Sequence, residues 1–265
     1  MSPRDKPRHL GADYAAQFRD RALVRAYVAR PPYPDAVIDA LRALLPHGQA
    51  RALELGCGSG DLTFRLAEHV AELVAIDPSP AMLSAALERQ PIVPRNIHFV
   101  LASAETFVPH GKFELVVAAE SLHWMEWSIV LPKLAHALTR QGRLAIVLAR
   151  GWVDLPWEPE LRTLLARYST NQEYRPYDLV EELTQRGLFE EAGRTRAVQP
   201  RYEQDVDTYI ESFHARNGFS RERMGAASAA AFDAAVRELV LSHRPDGVVS
   251  GELAASVVWG SVRDI

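Results

Sequence analysis

The chain has 265 residues, of which 48% are hydrophobic and 24% charged, and its net charge is −4. This length is enough for one large α/β domain or for a domain with a substantial insertion. The mildly acidic balance provides no positive field for nucleic acid, and no run of about 18 apolar residues is present to span a membrane. With one cysteine and no apolar signal core at the N-terminus, we expect a cytoplasmic protein.

Two helical segments are predicted at the N-terminus, over residues 13–29 and 37–45. The run Pro31-Pro32-Tyr33-Pro34 ends the first segment, because proline lacks a backbone donor and restricts the residue before it. We therefore expect residues 1–48 to form a helical cap.

From residue 51 onward, short apolar runs alternate with helical periodicity. The predicted strands are 51–55, 72–76, 97–101, 113–118 and 142–148. The predicted helices between them are 61–70, 80–90 and 128–139. Nearly continuous Val, Leu and Ile runs separated by helices are typical of a parallel sheet that is covered on both faces. Residues 49–150 are therefore predicted to form a ligand-binding core.

Beyond residue 150 the periodicity is looser. Helices are predicted over 157–168, 176–187, 205–215 and 226–242, and strands over 188–200 and 252–262. Residues 151–265 are therefore expected to add helical insertions that form a lid, together with a terminal strand pair. The whole chain is predicted to be a single domain of residues 1–265.

Three glycines, Gly56, Gly58 and Gly60, directly follow the first predicted strand. The first strand-to-helix turn of a parallel sheet lies at the edge where such folds bind their ligands. Glycine tolerates positive φ there and lets a ligand press against the backbone, beside the N–H groups of a helix N-terminus. The loop is typical of a dinucleotide or another adenosine cofactor.

Polar residues at two further strand ends extend this pattern. Asp77 follows the second strand, where a carboxylate can accept both ribose hydroxyls of an adenosine. Ser103-Ala104-Glu105 follows the third strand, where the adenine edge would lie. Together with Glu54 in the first strand, these residues outline an adenosine-shaped site. A nicotinamide-dependent oxidoreductase is the main rival, but its usual spacing is G-x-G-x-x-G and no Tyr-x-x-x-Lys pair is present.

These segments resemble the motifs of class I S-adenosylmethionine-dependent methyltransferases. The resemblance rests on residues 53–60 (LELGCGSG), 77–82 (DPSPAM) and 102–105 (ASAE). The tracts 27–34 (YVARPPYP) and 122–124 (LHW) are similar to a branch that includes trans-aconitate methyltransferase-like small-molecule enzymes. The resemblance implies a Rossmann-like, seven-stranded, mostly parallel sheet whose last strand is antiparallel. It also implies helices on both faces and helical lid insertions.

The resemblance also implies roles for individual residues. The glycines would face the methionine and ribose of the cofactor, Asp77 would hold the ribose hydroxyls, and Met82 would pack on the adenine. Many relatives carry Asp where this chain has Ser103, and a serine would accept the hydrogen bond of the adenine amino group less strongly. The residues assigned to S-adenosylmethionine and its product S-adenosylhomocysteine are Tyr33, Glu54, Gly56, Cys57, Gly58, Gly60, Asp77, Pro78, Met82, Ser103, Ala104, Glu105 and Glu120.

Aromatic and ionisable residues after strands four and five suggest an acceptor site. His123 either takes a proton from the acceptor or is a hydrogen-bonded structural histidine. His214 either lines a lid or lies on a solvated face, and the second reading is preferred. The residues predicted to contact the acceptor are Tyr14, Arg30, Trp124, Trp152, His214 and Trp259. Cys57 has no histidine partner nearby in sequence and is expected to have no nucleophilic role.

The predicted function is methyl transfer from S-adenosylmethionine to a small molecule, first of all to a hydroxyl or carboxylate. The alternatives are N- or C-methylation of a metabolite and a non-catalytic protein that binds the cofactor. No metal, nucleic acid or membrane partner is expected, and the protein is expected to be a monomer or homodimer. The acidic charge disfavours RNA methylation, and no Asn-Pro-Pro-Tyr follows the fourth strand.

Overall fold

The structure, a computed structural model, describes residues 21–172 and 177–263. The chain divides into two compact units, which we name the helical unit and the sheet unit. Among the described residues, the helical unit comprises 21–32, 151–172 and 199–253. The sheet unit comprises 33–150, 177–198 and 254–263. The single domain of residues 1–265 stays a prediction.

The described residues contain a seven-stranded sheet with the order β3-β2-β1-β4-β5-β7-β6. Its strands are β1 Arg51–Leu55, β2 Glu72–Asp77, β3 Ile97–Leu101, β4 Phe113–Ala119, β5 Leu138–Val153, β6 Phe189–Asp205 and β7 Val248–Val262. Neighbouring strands from β3 through β5 pair in parallel. The edge of the sheet is antiparallel, and the N–H of Arg263, just after β7, donates to the carbonyl of Leu188, just before β6, at 3.1 Å. The predicted mostly parallel sheet with an antiparallel edge is confirmed.

In the described residues a helix follows β1, β2 and β4, whereas β3 leads to β4 without one. The helix bounds are α1 Arg21–Val28, α2 Asp35–Arg42, α3 Asp61–Ala67, α4 Pro80–Arg89, α5 Trp127–Ala137, α6 Glu158–Tyr168, α7 Leu179–Gln185, α8 Val206–His214, α9 Arg221–Met224 and α10 Ala226–His243. Helix α4 begins as predicted, because the hydroxyl of Ser79 accepts the N–H of Met82 at 3.2 Å and Pro80 occupies the first turn. None of the helices in the described ranges has the length and apolar character of a membrane span.

Two apolar layers cover the two faces of the sheet in the sheet unit. Leu53 and Leu55 belong to one layer, which includes buried residues of α5. Ala52 belongs to the other layer, with residues of α2 and α3. Because successive side chains of a strand point to opposite faces, Glu54 shares the face of Ala52. The sheet is therefore buried on both sides, as its nearly continuous apolar strands predict.

The later strands are longer than the sequence predicts. Strand β5 spans Leu138–Val153 instead of 142–148, and β6 spans Phe189–Asp205 instead of 188–200. Strand β6 is the last strand in the sheet order and most of its residues are not buried, so its apolar signal is weak. An edge strand needs little apolar sequence, because much of it faces water. The pattern therefore indicates where these strands lie but not where they end.

Candidate functional site

The loop after β1 is a tight backbone turn that only glycine fits well. Its three glycines have φ of +69°, +54° and +79°. A Cβ on Gly56 would lie 2.7 Å from the Cβ of Ser121. The Ser121 hydroxyl in turn donates to the carbonyl of Leu55 at 2.6 Å. The loop is therefore packed directly against the residue that follows the end of β4, and a side chain at Gly56 would force the two apart.

Asp77, at the end of β2, holds the loop with its carboxylate. Oδ2 accepts the N–H of Gly58 at 2.9 Å, and Oδ1 accepts the N–H of Ser79 at 2.8 Å. The residue is 7% exposed. Burial raises the pKa of Asp77, and the two N–H donors partly oppose that rise. Each carboxylate oxygen retains acceptor capacity, so the pair suits two further hydroxyl donors.

Glu54 is an acid buried in the middle of β1. It is 1% exposed, and its Oε2 accepts the hydroxyl of Thr63 in α3 at 2.7 Å. Burial raises the pKa of Glu54 to about 8, and the negative charges of Asp61 and Asp77 add to this rise. The side chain is therefore largely protonated at neutral pH, and it links β1 to the helix that follows the loop. Its predicted role toward a cofactor stays a prediction.

The end of β4 carries a strained residue and two aromatic rings. Glu120 has a positive φ of +53°, which is unusual for a residue with a side chain. The 3₁₀ turn Leu122–Trp124 follows, and the rings of His123 and Trp124 are 4.8 Å apart. Both rings are half-buried. The structure thus places His123 and Trp124 just beyond the residue that touches the glycine loop.

Arg150, near the end of β5, contacts residues at the candidate site and was not predicted from the sequence. Its side chain is 4% exposed, and Nη1 donates to Oδ2 of Asp61 at 3.1 Å. The guanidinium lies 4.1 Å from the centre of the Tyr33 ring. The backbone N–H of Arg150 donates to Oε1 of Glu120 at 3.3 Å. The position of Asp61 is visible in the sequence, because this residue directly follows the last glycine of the loop. Its pairing with Arg150 is not, because nothing in the sequence relates the two residues.

The residues predicted to border the adenine form bonds within the protein. The hydroxyl of Ser103 accepts the N–H of Thr106 at 3.3 Å. Ala104 is 9% exposed, and Oε1 of Glu105 accepts the N–H of Glu126 at 2.8 Å.

Two more predicted cofactor residues lie around the start of α4. Met82 is 2% exposed, whereas Pro78 is exposed. The assignment of both residues to an adenine site stays a prediction.

His214 was expected on a solvated face, and that interpretation is wrong. The residue is 1% exposed. Its Nδ1 lies 2.7 Å from the carbonyl oxygen of Phe219, and its Nε2 lies 2.7 Å from Oδ1 of Asp233. The helical unit buries this histidine against the aromatic side chain of Phe232. The error arose because the partner Asp233 lies in a different helix from His214.

The other predicted acceptor residues are distributed over both units. Arg30 and Trp152 belong to the helical unit, where Nη1 of Arg30 donates to the hydroxyl of Tyr27 at 3.1 Å. The Trp152 ring lies 5.4 Å from that of Tyr202, and its indole N–H is buried without a hydrogen-bond partner among the described residues. Trp259 belongs to the sheet unit and packs on Gly193. Tyr14 lies outside the described residues, and contact of this set with an acceptor stays a prediction.

Cys57 and possible metal ligands were the other chemical groups considered in the sequence. Burial and the nearby charges of Glu54 and Asp77 raise the pKa of the Cys57 thiol, which disfavours the nucleophilic thiolate. The described part of the chain contains no group of three or more His, Cys, Asp or Glu side chains placed to hold a metal ion. A metal-free reaction stays a prediction.

The geometry suits an adenosine cofactor. The positive-φ glycines leave the loop backbone bare, and a carboxylate with spare acceptor capacity stands at the next strand end. The sheet order reverses between β1 and β4, and ligands of such sheets bind at this reversal. The loop, Asp77 and the β4 end all lie in the sheet unit.

Comparisons with known proteins agree with this geometry. Residues 52–142 match a family model described as a methyltransferase domain. An uncharacterised methyltransferase of Mycobacterium tuberculosis is 33% identical over 138 residues, which are 52% of this chain and 54% of that protein. A trans-aconitate 2-methyltransferase of Methylobacterium radiotolerans is 37% identical over 98 residues, 36% of each protein. The chain therefore spans about half or less of the length of these two curated relatives.

Solved structures share the fold at lower identity. A putative type II methyltransferase from Anaeromyxobacter dehalogenans superposes with a TM-score of 0.64 at 22% identity, covering 88% of this chain and 97% of that one. A methyltransferase from Thiobacillus denitrificans, solved with S-adenosylhomocysteine, has a TM-score of 0.50 at 19% identity, covering 88% of this chain and 94% of that one. Residues 52–142 therefore resemble a methyltransferase domain, and the chain has the fold of these two structures.

Proposed function

We propose that this chain transfers a methyl group from S-adenosylmethionine to an oxygen atom of a small-molecule acceptor. The observation that carries the proposal is the pairing of Asp77 with the glycine loop. The Asp77 carboxylate binds the Gly58 and Ser79 N–H groups and has acceptor capacity left for a ribose. The similar methyltransferase from Thiobacillus denitrificans binds S-adenosylhomocysteine, which has this adenosine and tail.

The buried state of Asp77 favours a ligand with hydroxyl donors. Burial raises the pKa of this carboxyl, so its ionised form gains from every further hydrogen bond that it accepts. Two ribose hydroxyls would supply such bonds in a place that water reaches poorly. The glycines would lie against the amino-acid tail, because a glycine has no side chain that keeps a ligand away from the backbone.

The residues of the sheet unit would then act mainly by placing the acceptor. S-adenosylmethionine supplies an electrophilic methyl group on sulfur, and the reaction returns S-adenosylhomocysteine. Trp124 would give the acceptor an apolar wall. A ring nitrogen of the half-buried His123 would take the proton from an acceptor hydroxyl. Holding the two reactants in line contributes more than the proton transfer, because displacement at a methyl carbon depends on alignment.

Two observations favour an oxygen atom as the methyl acceptor, namely the name of one relative and the presence of His123. The similar protein from Methylobacterium radiotolerans is named for methylation of trans-aconitate, a carboxylate. A carboxylate acceptor would need no base, whereas a hydroxyl acceptor would use His123. N- or C-methylation of a small metabolite is the alternative, because the same cofactor site would serve it. A non-catalytic protein that binds the cofactor is the second alternative.

A turnover assay with an acceptor panel tests the proposal. Purified protein would be incubated with S-adenosylmethionine and small carboxylates, phenols, alcohols and amines, and the release of S-adenosylhomocysteine would be measured. Release that depends on a carboxylate or hydroxyl compound supports the proposal. Release only with amines would establish the nitrogen alternative, and cofactor binding without release for any compound class would favour the non-catalytic one.

A matched variant separates the enzyme from contaminants. Asp77→Asn keeps the size of the side chain but removes the negative charge that would hold the ribose. Release that persists unchanged in this variant would show that the activity belongs to another protein or to another site.

A further inference from the structure

The guanidinium of Arg150 is buried with only part of its hydrogen-bonding capacity used. Its side chain is 4% exposed, and Nη1 is bound to Asp61 at 3.1 Å. Nε and Nη2 are also buried, and neither has a hydrogen-bond partner in the described part of the chain. Buried donors without partners are costly, above all on a charged group, so such a residue calls for an explanation.

Contacts with neighbouring residues fix the orientation of the Arg150 guanidinium. Oδ2 of Asp61 accepts both Nη1 of Arg150 and the backbone N–H of Tyr33, the latter at 3.2 Å. The guanidinium carbon lies 4.1 Å from the centre of the Tyr33 ring, in a cation–π contact. Asp61 also binds Arg89 through its other oxygen, at 3.1 Å. Arg150 is thus held by Asp61 and by the Tyr33 ring, and Nε and Nη2 are left without a partner in the described part of the chain.

We infer that the Nε–Nη2 edge of Arg150 binds a carboxylate, namely the carboxylate of the amino-acid tail of the cofactor. These two nitrogens are parallel donors whose spacing matches the two oxygens of a carboxylate. Asp61 accepts from Nη1 alone, so no carboxylate of the described residues accepts from Nε or Nη2. A bound carboxylate would supply both acceptors and a negative charge beside the guanidinium.

The position of Arg150 favours the cofactor over the acceptor as the source of this carboxylate. Asp61, which anchors the guanidinium, directly follows Gly60 at the end of the glycine loop. The backbone of Arg150 is tied to Glu120 at the end of β4, beside Ser121, which packs on Gly56. The contact with Asp61 and the contact with Glu120 therefore both place Arg150 near the glycine loop, which we assign to the amino-acid tail. This inference rests on the proposed function, because it assumes that the loop binds S-adenosylmethionine.

Calorimetric titration with two ligands tests the inference without measuring activity. S-adenosylhomocysteine has the carboxylate, whereas 5′-methylthioadenosine has the same adenosine and a thioether but no amino-acid group. Arg150→Met should weaken S-adenosylhomocysteine binding by about 10- to 100-fold, the effect of losing charged hydrogen bonds. It should leave the affinity for 5′-methylthioadenosine unchanged. Arg150→Lys keeps a positive charge near Asp61 but loses the two parallel N–H donors. This variant should therefore lose part of its affinity for S-adenosylhomocysteine.

Arg89→Met is the matched control, because Arg89 binds the same Asp61 while its side chain is 46% exposed. It should bind both ligands as the wild type does. The inference is overturned if Arg150→Met weakens both ligands equally, which would indicate a structural role, or if it weakens neither. Unchanged S-adenosylhomocysteine binding by Arg150→Lys would overturn the bidentate assignment. Wild-type protein that binds neither ligand would instead refute the proposed function.

Discussion

Replacing Glu54 with glutamine should change how the stability of the protein depends on pH. Glu54 is buried in β1 and accepts the hydroxyl of Thr63 at 2.7 Å. Glutamine has nearly the same shape, and its amide oxygen can accept the same bond. The variant therefore removes one titrating group with little change in packing.

The size of the effect follows from the pKa of Glu54. Burial raises this pKa to about 8 in the folded protein, from an ordinary value of 4.5. Between these two pH values the folded protein keeps a proton that the unfolded chain has released. The contribution of Glu54 to stability is therefore full below the unfolded pKa and is lost as the pH rises through the folded pKa. At 1.36 kcal/mol per pKa unit, the loss between pH 5 and pH 8 is about 3 to 4 kcal/mol.

Urea unfolding at several pH values between 5 and 8, followed by circular dichroism, measures this effect. The free energy of unfolding of Glu54→Gln, relative to the wild type, should rise by about 3 to 4 kcal/mol over this range. Other groups titrate in both proteins, so their contributions cancel in the difference. Glu68→Gln, at an exposed position, should follow the wild-type curve. Parallel curves for the wild type and Glu54→Gln would refute the assignment of a protonated buried acid.

Three further substitutions test the loop and the strand ends. Asp77→Asn should weaken S-adenosylhomocysteine binding by about 1–3 kcal/mol, through loss of charged hydrogen bonds, and unchanged affinity by calorimetry would refute the ribose assignment. Gly56→Ala should lower the free energy of unfolding more than Gly187→Ala, because both positions have positive φ but a Cβ on Gly187 meets nothing within 4 Å; equal losses in urea unfolding would contradict the close contact at Gly56. His123→Asn should lower turnover of a hydroxyl acceptor and leave S-adenosylhomocysteine affinity unchanged, and full activity would return His123 to a structural role.

The parallel part of the sheet was predictable from the sequence because strands β1 to β4 are short and helices follow three of them. Strands β1 and β3 have the predicted bounds, 51–55 and 97–101. The start of α4 was predictable too, because Ser79 and Pro80 act locally. The positive φ of the loop glycines followed from the same kind of local rule. Each of these features depends on residues that are close together in the chain.

Features that depend on distant partners were not predictable. Arg150 pairs with Asp61, which lies 89 positions earlier in the chain. The burial of His214 depends on Asp233, 19 positions later. The positive φ of Glu120 could not be predicted from its residue type, because it is set by packing around the end of β4. A single sequence carries no record of such pairings.

Calorimetric titration of the wild-type protein with S-adenosylmethionine and S-adenosylhomocysteine tests whether the chain binds this cofactor. We expect micromolar binding of both, because the glycine loop, Asp77 and Arg150 would contact parts that the two ligands share. Binding of neither would contradict the proposed function, since a methyltransferase fold without this cofactor cannot perform the proposed reaction.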